Sequence, residues 1–594
     1  MNFFKKNLFL LVRRYQLLIS SLLLALISIA ITLFDPGFTL RWLSFNLWLL
    51  SVVMAFIALQ LPFNFKRFKS VRFARSEVLL FLLLLTIALF SRFWLLTTYP
   101  FAPIGDGLRD GGLAAARIVR GEIKNIFAYD YDYAHNLVIP TLTSFAYRIF
   151  GENVLTYRLP AASIAIFSSL LLYFTARRFL GKAIAFWTTL ILLSLPLHLY
   201  YARTEVVVIF SSFWTTATFY ALGKFLEKRS LRNYAITGLV IGCAMGFHAA
   251  AKAMSLIALF LVLAISFYYF LKKVDRKTIA LGLGLMLLLM VVGFGPRLVF
   301  STPDVIFQTA KLNVLDDVLI SPNTNGTDPT LKKLIQPFEN YPTSLMIYIS
   351  GHTTSHYHDK KPILNFVFAV FFVVGLVMAL MTGNITLRII GFFAVALPFT
   401  NSAITDAINA DHRLTPLLPV ASVLVAYGFT EVLKKISQPN LLFRLVRVTL
   451  VLLLLTTSGL SIFWFFDNEE ASYNMFRKDD AKVYQDYMLT YGIKTVQNDK
   501  VLQNSSQICF TISPANLEYF NLLHIQEQFM FFLPGRVIET PVNNKVADNQ
   551  LYISASCTGD ITDGSWQPLD YCTLPEKFVC TPNQTTFKLF LRSS

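Results

Sequence analysis

Apolar positions in this chain come in long unbroken runs, not in the one-sided stripe of a helix resting on a water-soluble core. Runs begin near Tyr15, Trp42, Glu77, Leu159, Ala183, Glu205 and Tyr234, and again near Ala253, Ile279, Ile363, Ile389, Arg413 and Val448. At about 17 to 23 residues, each is long enough to cross roughly 30 Å of hydrocarbon as a helix. Three longer segments interrupt the pattern: residues 98–158, 301–362 and the tail 467–594. The expectation is a multi-pass α-helical membrane protein with about 13 transmembrane helices. In the tail, short β-prone runs at 508–512 and 587–591 alternate with turn residues, which predicts a small α/β or mostly β domain.

Composition sharpens this reading. Hydrophobic residues make up 55% of the 594 positions and charged residues only 15%, with a mean hydropathy of +0.55. A soluble domain carries roughly a quarter charged residues, so soluble, disordered and fibrous classes are excluded. The net charge of +17 does not indicate nucleic acid, because the basic residues punctuate apolar runs instead of lining one polar face. Placing Lys5, Lys6, Arg13 and Arg14 in the cytoplasm and alternating sides sends Lys66/Arg67, Arg177/Arg178, Lys228/Arg229, Lys272/Lys273 and Lys434/Lys435 to that same side, as the positive-inside rule requires. The first run is long, lacks a small-residue cleavage site and reads as a retained helix. The expected location is the plasma or inner membrane, with membrane lipids as partners, the N-terminus cytoplasmic and the C-terminal domain extracytoplasmic.

Cysteine usage agrees with those sides. Cys509, Cys557, Cys572 and Cys580 lie in the tail and Cys243 in an apolar run. An even set in an extracytoplasmic domain makes the four tail cysteines disulfide candidates, with pairing open; a zinc site is the competing reading.

Candidate chemistry concentrates on the same outer side. PFAPIGDGLRDGG sets Asp106, Arg109 and Asp110 among glycines directly after a membrane exit, and Asp130 and Asp132 follow as possible second acids. The stretch 113–126 has an amphipathic pattern, with Arg117 and Arg120 on its polar side, and predicts a short interfacial helix. Acids beside glycines are often plain turn formers. Ionisable groups at helix ends on that side change the weighing: Arg203 and Glu205, His248 and Lys252, Arg297, and His412 with Arg413. Charges in or beside spans are costly unless they are paired or face a watery cavity. Cations gathered with one carboxylate fit a lipid-linked phosphosugar: the cations hold the departing phosphate and the carboxylate deprotonates an acceptor hydroxyl. In GHTTSHYHDKKP, His352, His356 and His358 stand beside Asp359. They are candidate ligands for a divalent metal; the alternative is a movable loop covering the site.

The segments PFAPIGDGLRDGGLAAARIVRGE, IFGENVLTYRLPAA, LHLYYARTE, GPRLVFSTPDVIFQTAKLNVL and DHRLTPLLPVASVLVAYGF together resemble the GT-C superfamily of polyprenyl-phosphate-sugar-dependent glycosyltransferases. The nearest branch is that of protein O-mannosyltransferases and aminoarabinose transferases. The resemblance covers roughly residues 77–431 and implies a GT-C-like membrane catalytic domain over 77–466, a two-helix addition over 1–76 and a variable appendage over 467–594. It implies that Asp106 is the catalytic base and that Arg413 contacts donor or phosphate. Gly107 stands where the family often has a second acid, and Leu414 replaces an aromatic. The function this implies is transfer of a sugar from a polyprenyl-phosphate donor to a protein, lipid or glycan acceptor on the extracytoplasmic face, with inversion. The alternatives are a lipid-linked glycan transporter or flippase, which would show internal repeats that are not seen here, and an inactive relative acting as a binding protein.

Overall fold

The computed structural model describes residues 2–60, 74–100, 107–127, 129–130, 135–204, 206–300, 329–350, 362–404, 411–436 and 440–467. In the tail it describes 492–493, 495–497, 499–514, 517, 525–533, 536–546, 550–555, 566–569 and 588–592. The predicted apolar runs are helical. The membrane part opens with α1 (Asn2–Phe34), α2 (Arg41–Gln60) and α3 (Arg75–Phe93), followed by a π-helix (Leu108–Leu113) and α4 (Ala114–Arg120). A two-residue hairpin, β1 (Tyr129–Asp130) with β2 (His135–Asn136), leads to α5 (Val138–Phe150) and α6 (Val154–Phe179). Then come α7 (Lys182–Ser194), α8 (Pro196–Thr204), α9 (Val206–Glu227), α10 (Leu231–Met245), α11 (Ala249–Leu271) and α12 (Arg276–Phe294). After these follow α13 (Pro329–Met346), α14 (Phe366–Met381), α15 (Ile385–Ile404), α16 (Leu417–Lys435) and α17 (Leu441–Asp467).

Among the described residues eight helices are long and apolar enough to cross a membrane, or nine when α7 and α8 count as one bent span. The sequence led us to expect one continuous span from Ala183; instead the chain bends by 62° between α7 and α8. Pro196 causes the break: it has no N–H to give, and it drives the preceding Leu195 to an extended ψ of 119°. The bend brings Arg203 of α8 to the carbonyls at the end of α3.

Helices associate here through small residues, because apolar side chains gain little by leaving lipid for one another. A Cβ on Gly238 or Gly242 of α10 would lie 2.1 or 2.3 Å from backbone oxygens of α12. The α14–α16 pair is equally close at Gly375 and Gly428. Hydroxyls join α1 to α2: Ser28 Oγ donates to the Ser44 carbonyl at 2.6 Å and Thr32 meets Ser44 at 2.7 Å. At one end of the bundle the buried Glu77 is paired with Arg177 and with Lys182 at 3.0 Å, and Arg178 bonds Glu227 at 2.7 Å. Arg177 and Arg178 form one of the clusters that the charge pattern assigned to one side.

The tail is a mixed α/β domain rather than mostly β. Strands β3 (Gln507–Thr511), β4 (Val537–Glu539), β5 (Gln550–Ser554), β6 (Trp566–Leu569) and β7 (Lys588–Arg592) form one sheet in the order β4-β3-β5-β7-β6. The pairs β3/β4 and β5/β7 are parallel, and β3/β5 and β6/β7 antiparallel. Helices α18 (Lys500–Asn504) and α19 (Ile525–Phe532) accompany the sheet, and the rings of Phe510 and Phe529 stack at 3.8 Å between sheet and helix. Cys509, buried in β3, is disulfide-bonded. Cys557, Cys572 and Cys580 lie outside the described residues.

Candidate active site and its supports

The acidic loop starts where α3 ends. Asp106 lies outside the described residues, as do Asp132, Glu205, His352, His356, His358 and Asp359. The chain resumes at Gly107 and enters the π-helix, a form often found at functional sites. Inside it, Arg109 Nε donates to Asp110 Oδ1 at 2.7 Å, with both side chains nearly inaccessible. Gly112 permits this tight winding: a Cβ there would come within 2.6 Å of Leu108 and 3.1 Å of Tyr157. Tyr157 in turn donates from its hydroxyl to the Thr204 carbonyl at the end of α8. The expected interfacial helix over 113–126 is shorter and deeper than its pattern implied. It stops at Gly121, whose φ of +82° closes the helix in the left-handed region, and Ala114, Ala115, Ala116 and Ile118 are buried. Asp130 sits in β1, opposite His135.

Three buried arginines hold the chain that leads into this loop. Arg203, in the last turn of α8, donates to the carbonyls of Ser91, Arg92, Trp94 and Tyr99 at 2.6 to 3.1 Å. Arg158, in the second turn of α6, donates to the carbonyls of Leu96 and Pro100 at 3.0 and 2.7 Å. Arg92 reaches the Leu193 carbonyl at 2.9 Å and His198 Nδ1 at 2.8 Å. A helix leaves its last four carbonyls without partners, and in an apolar surrounding each such group is expensive. These guanidiniums supply the missing donors. Arg203, a donor-binding candidate from the sequence, bonds carbonyls at and just beyond the end of α3, with its guanidinium 5.1 Å from the Phe466 ring. Arg158 and Arg92 escaped the sequence reading. The available signal was an arginine within an apolar run, which must find partners.

The remaining predicted cations come together on other elements. His248 caps α11, accepting the Ala250 N–H at Nδ1, and its ring stands edge-on to that of His412 at 5.9 Å. Lys252 lies one turn further along α11, within electrostatic reach of Arg297. Arg297 lies in the 3-10 turn after α12 (Gly295–Phe300) and packs on Gly246, where a Cβ would fall 1.2 Å from its Nη1. Its Nε and Nη2 donate to the Phe294 and Gly293 carbonyls, both at 2.8 Å. Arg413, half-buried, adjoins His412 in a 3-10 turn (Asp411–Arg413). Thr415 Oγ1 lies 3.3 Å from both the Val208 and the His412 carbonyl oxygens and pins that turn to α9. The π-helix packs on α9 as well. Thus His248, Lys252, Arg297, His412 and Arg413 gather near α9, the helix on which the π-helix carrying Arg109 and Asp110 packs.

One further contact comes from the tail. Arg117 of α4 forms an ion pair with Glu527 of α19, its Nε lying 3.1 Å from Oε2, and α19 packs on the π-helix. The tail domain therefore sits directly against the acidic loop.

Residues 134–295, which span α5 to α12 and include Arg158, Arg203, His248 and Lys252, match the family model described as dolichyl-phosphate-mannose-protein mannosyltransferase. No curated protein matches the chain. Among solved structures, the archaeal oligosaccharyltransferase AglB from Archaeoglobus fulgidus, in complex with an inhibitory peptide and a dolichol-phosphate, is 13% identical with a TM-score of 0.45, covering 72% of this chain and 59% of that one. The chain thus spans less than two thirds of AglB. ArnT from Cupriavidus metallidurans bound to undecaprenyl phosphate is 14% identical with a TM-score of 0.48, covering 78% of this chain and 86% of that one.

Proposed function

We propose that the protein is a membrane glycosyltransferase that moves one sugar from a polyprenyl phosphate to an acceptor on the extracytoplasmic face, inverting the anomeric centre. The observation that carries this reading is the gathering of His248, Lys252, Arg297, His412 and Arg413 beside the helix on which the acidic loop packs. The family description matched by 134–295 names a lipid-phosphate sugar and supports the same class of donor.

Asp106 acts as the base in this proposal. Its carboxylate takes the proton of the acceptor hydroxyl while that oxygen bonds to the anomeric carbon, and the bond from that carbon to the phosphate oxygen breaks on the opposite face. Polyprenyl phosphate leaves with the electron pair. Positioned cations oppose the charge that develops on it, the interaction that most often dominates such catalysis. Arg158 and Arg203 serve the base indirectly, since the carbonyls they hold end only six residues before it.

Purified protein in nanodiscs, supplied with a panel of polyprenyl-phosphate sugars and an acceptor extract, should consume one donor and release polyprenyl phosphate. Asp106→Asn should lower that release by roughly a hundredfold or more with unchanged thermal unfolding. Full activity in the variant would refute the role of Asp106. Donor crossing the bilayer intact without release of lipid phosphate would identify a flippase instead.

A further inference from the structure

The first two helices looked from the sequence like an addition to the catalytic core, yet α2 enters the site. Trp48 of α2, 5% exposed, donates from its indole N–H to the Val292 carbonyl at 3.1 Å, in the last turn of α12. The Arg297 guanidinium lies 4.9 Å from the Trp48 ring centroid, with Phe294 at 5.1 Å and Phe247 at 5.8 Å completing an aromatic enclosure. Two glycines make room for this stack. A Cβ at Gly295, where φ is +60°, would fall 2.1 Å from the Trp48 ring, and one at Gly246 would overlap Arg297. The same face of α2 meets the segment that follows α4. Phe127, just beyond α4, stands edge-on to Trp48 at 6.5 Å and tilts against Phe45 at 6.1 Å, and Ile118 shares that buried cluster.

One indole thus touches both the arginine that packs beneath the His248 turn and the aromatic anchor of the acid-bearing segment. We infer that Trp48 is a positioning residue that sets the separation between the acidic loop and the cation cluster, so that the N-terminal hairpin is a working part of the site. The inference rests on the proposed function only for its consequence in ligand binding; the positioning is open to measurement without any ligand. A guanidinium desolvated on an indole face is held by an interaction of useful strength, and the indole N–H satisfies a helix-end carbonyl that has no other donor within its own helix.

The test uses the full chain in nanodiscs, with nitroxides at Lys124→Cys on the acidic segment and Leu298→Cys beside Arg297. Both positions are exposed; among the described residues Cys243 is the free thiol and it is buried, and the parent protein without the introduced cysteines reports any other reactive thiol. Pulsed electron spin resonance should give one narrow distance distribution in the otherwise native protein and a broadened one in Trp48→Ala. Trp48→Phe, which keeps a ring against Arg297, should stay close to the native distribution. Binding of farnesyl phosphate, a short lipid phosphate without sugar, should weaken by about tenfold in Trp48→Ala and recover most of that loss in Trp48→Phe. An unchanged distance distribution in Trp48→Ala overturns the positioning role, whatever the ligand result. A broadened distribution with unaltered farnesyl phosphate binding overturns its link to the site. If the native protein itself fails to bind farnesyl phosphate while the distances respond as expected, the reading of the cations as a phosphate grip is lost and the positioning stands.

Discussion

Arg203 shows how far a single residue could be read. Its charge within an apolar context announced that it needed partners, but the partners are backbone carbonyls of residues 91–99, and carbonyls have no signature in a sequence. A helix-capping arginine and a phosphate-binding arginine therefore look alike until the fold is known. The rings of His248 and His412 meet edge-on at 5.9 Å, and the proposed function assigns both to the donor's phosphate. The two roles predict different behaviour. Arg203→Met leaves several buried carbonyls without donors, at about 1–3 kcal/mol for each such group, and should lower the thermal unfolding midpoint sharply and reduce expression. His412→Ala, at a half-buried position, should leave that midpoint nearly unchanged and weaken donor turnover by roughly tenfold or more. Equal melting losses in the two variants would contradict this division.

Helices were legible from the length of their apolar runs, and their interruptions less so. Pro196 is visible in the sequence and marks the break, but the 62° angle at which α8 leaves α7 depends on what packs around the two helices. Gly121 ended α4 five residues before the amphipathic pattern did, because a left-handed cap outweighs a pattern that continues past it. The docking of α19 on the π-helix had no signal at all, since Arg117 and Glu527 are 410 residues apart. This contact makes its own prediction. Arg117→Glu and Glu527→Arg should each loosen the tail domain, seen as faster proteolysis at residues 467–499, and the double reversal should restore protection. The coupling should be modest, below about 1 kcal/mol, because both side chains are partly exposed. A double variant that cleaves faster than either single one would show that the ion pair does not hold the domain.

At the scale of the molecule, composition and run length were enough for a multi-pass helical protein with an α/β tail, and two of the motif segments, IFGENVLTYRLPAA and LHLYYARTE, lie inside the stretch that matches a mannosyltransferase family model. What stayed hidden was the arrangement of the parts: an N-terminal hairpin that reaches the site through Trp48, and a tail domain that rests on the acidic loop. Both depend on contacts between segments hundreds of residues apart, which pattern and motif do not encode. The tail also carries a covalent tie at Cys509; Cys509→Ser should destabilise that domain by about 2–4 kcal/mol, detected as early loss of its unfolding transition while the membrane core melts as before. The central claim concerns the cations, and it is tested most directly by the affinity of the protein in nanodiscs for undecaprenyl phosphate, measured before and after Lys252→Met. Removing this one charge at nearly constant side-chain length should weaken binding by about tenfold; an unchanged Kd would contradict the account.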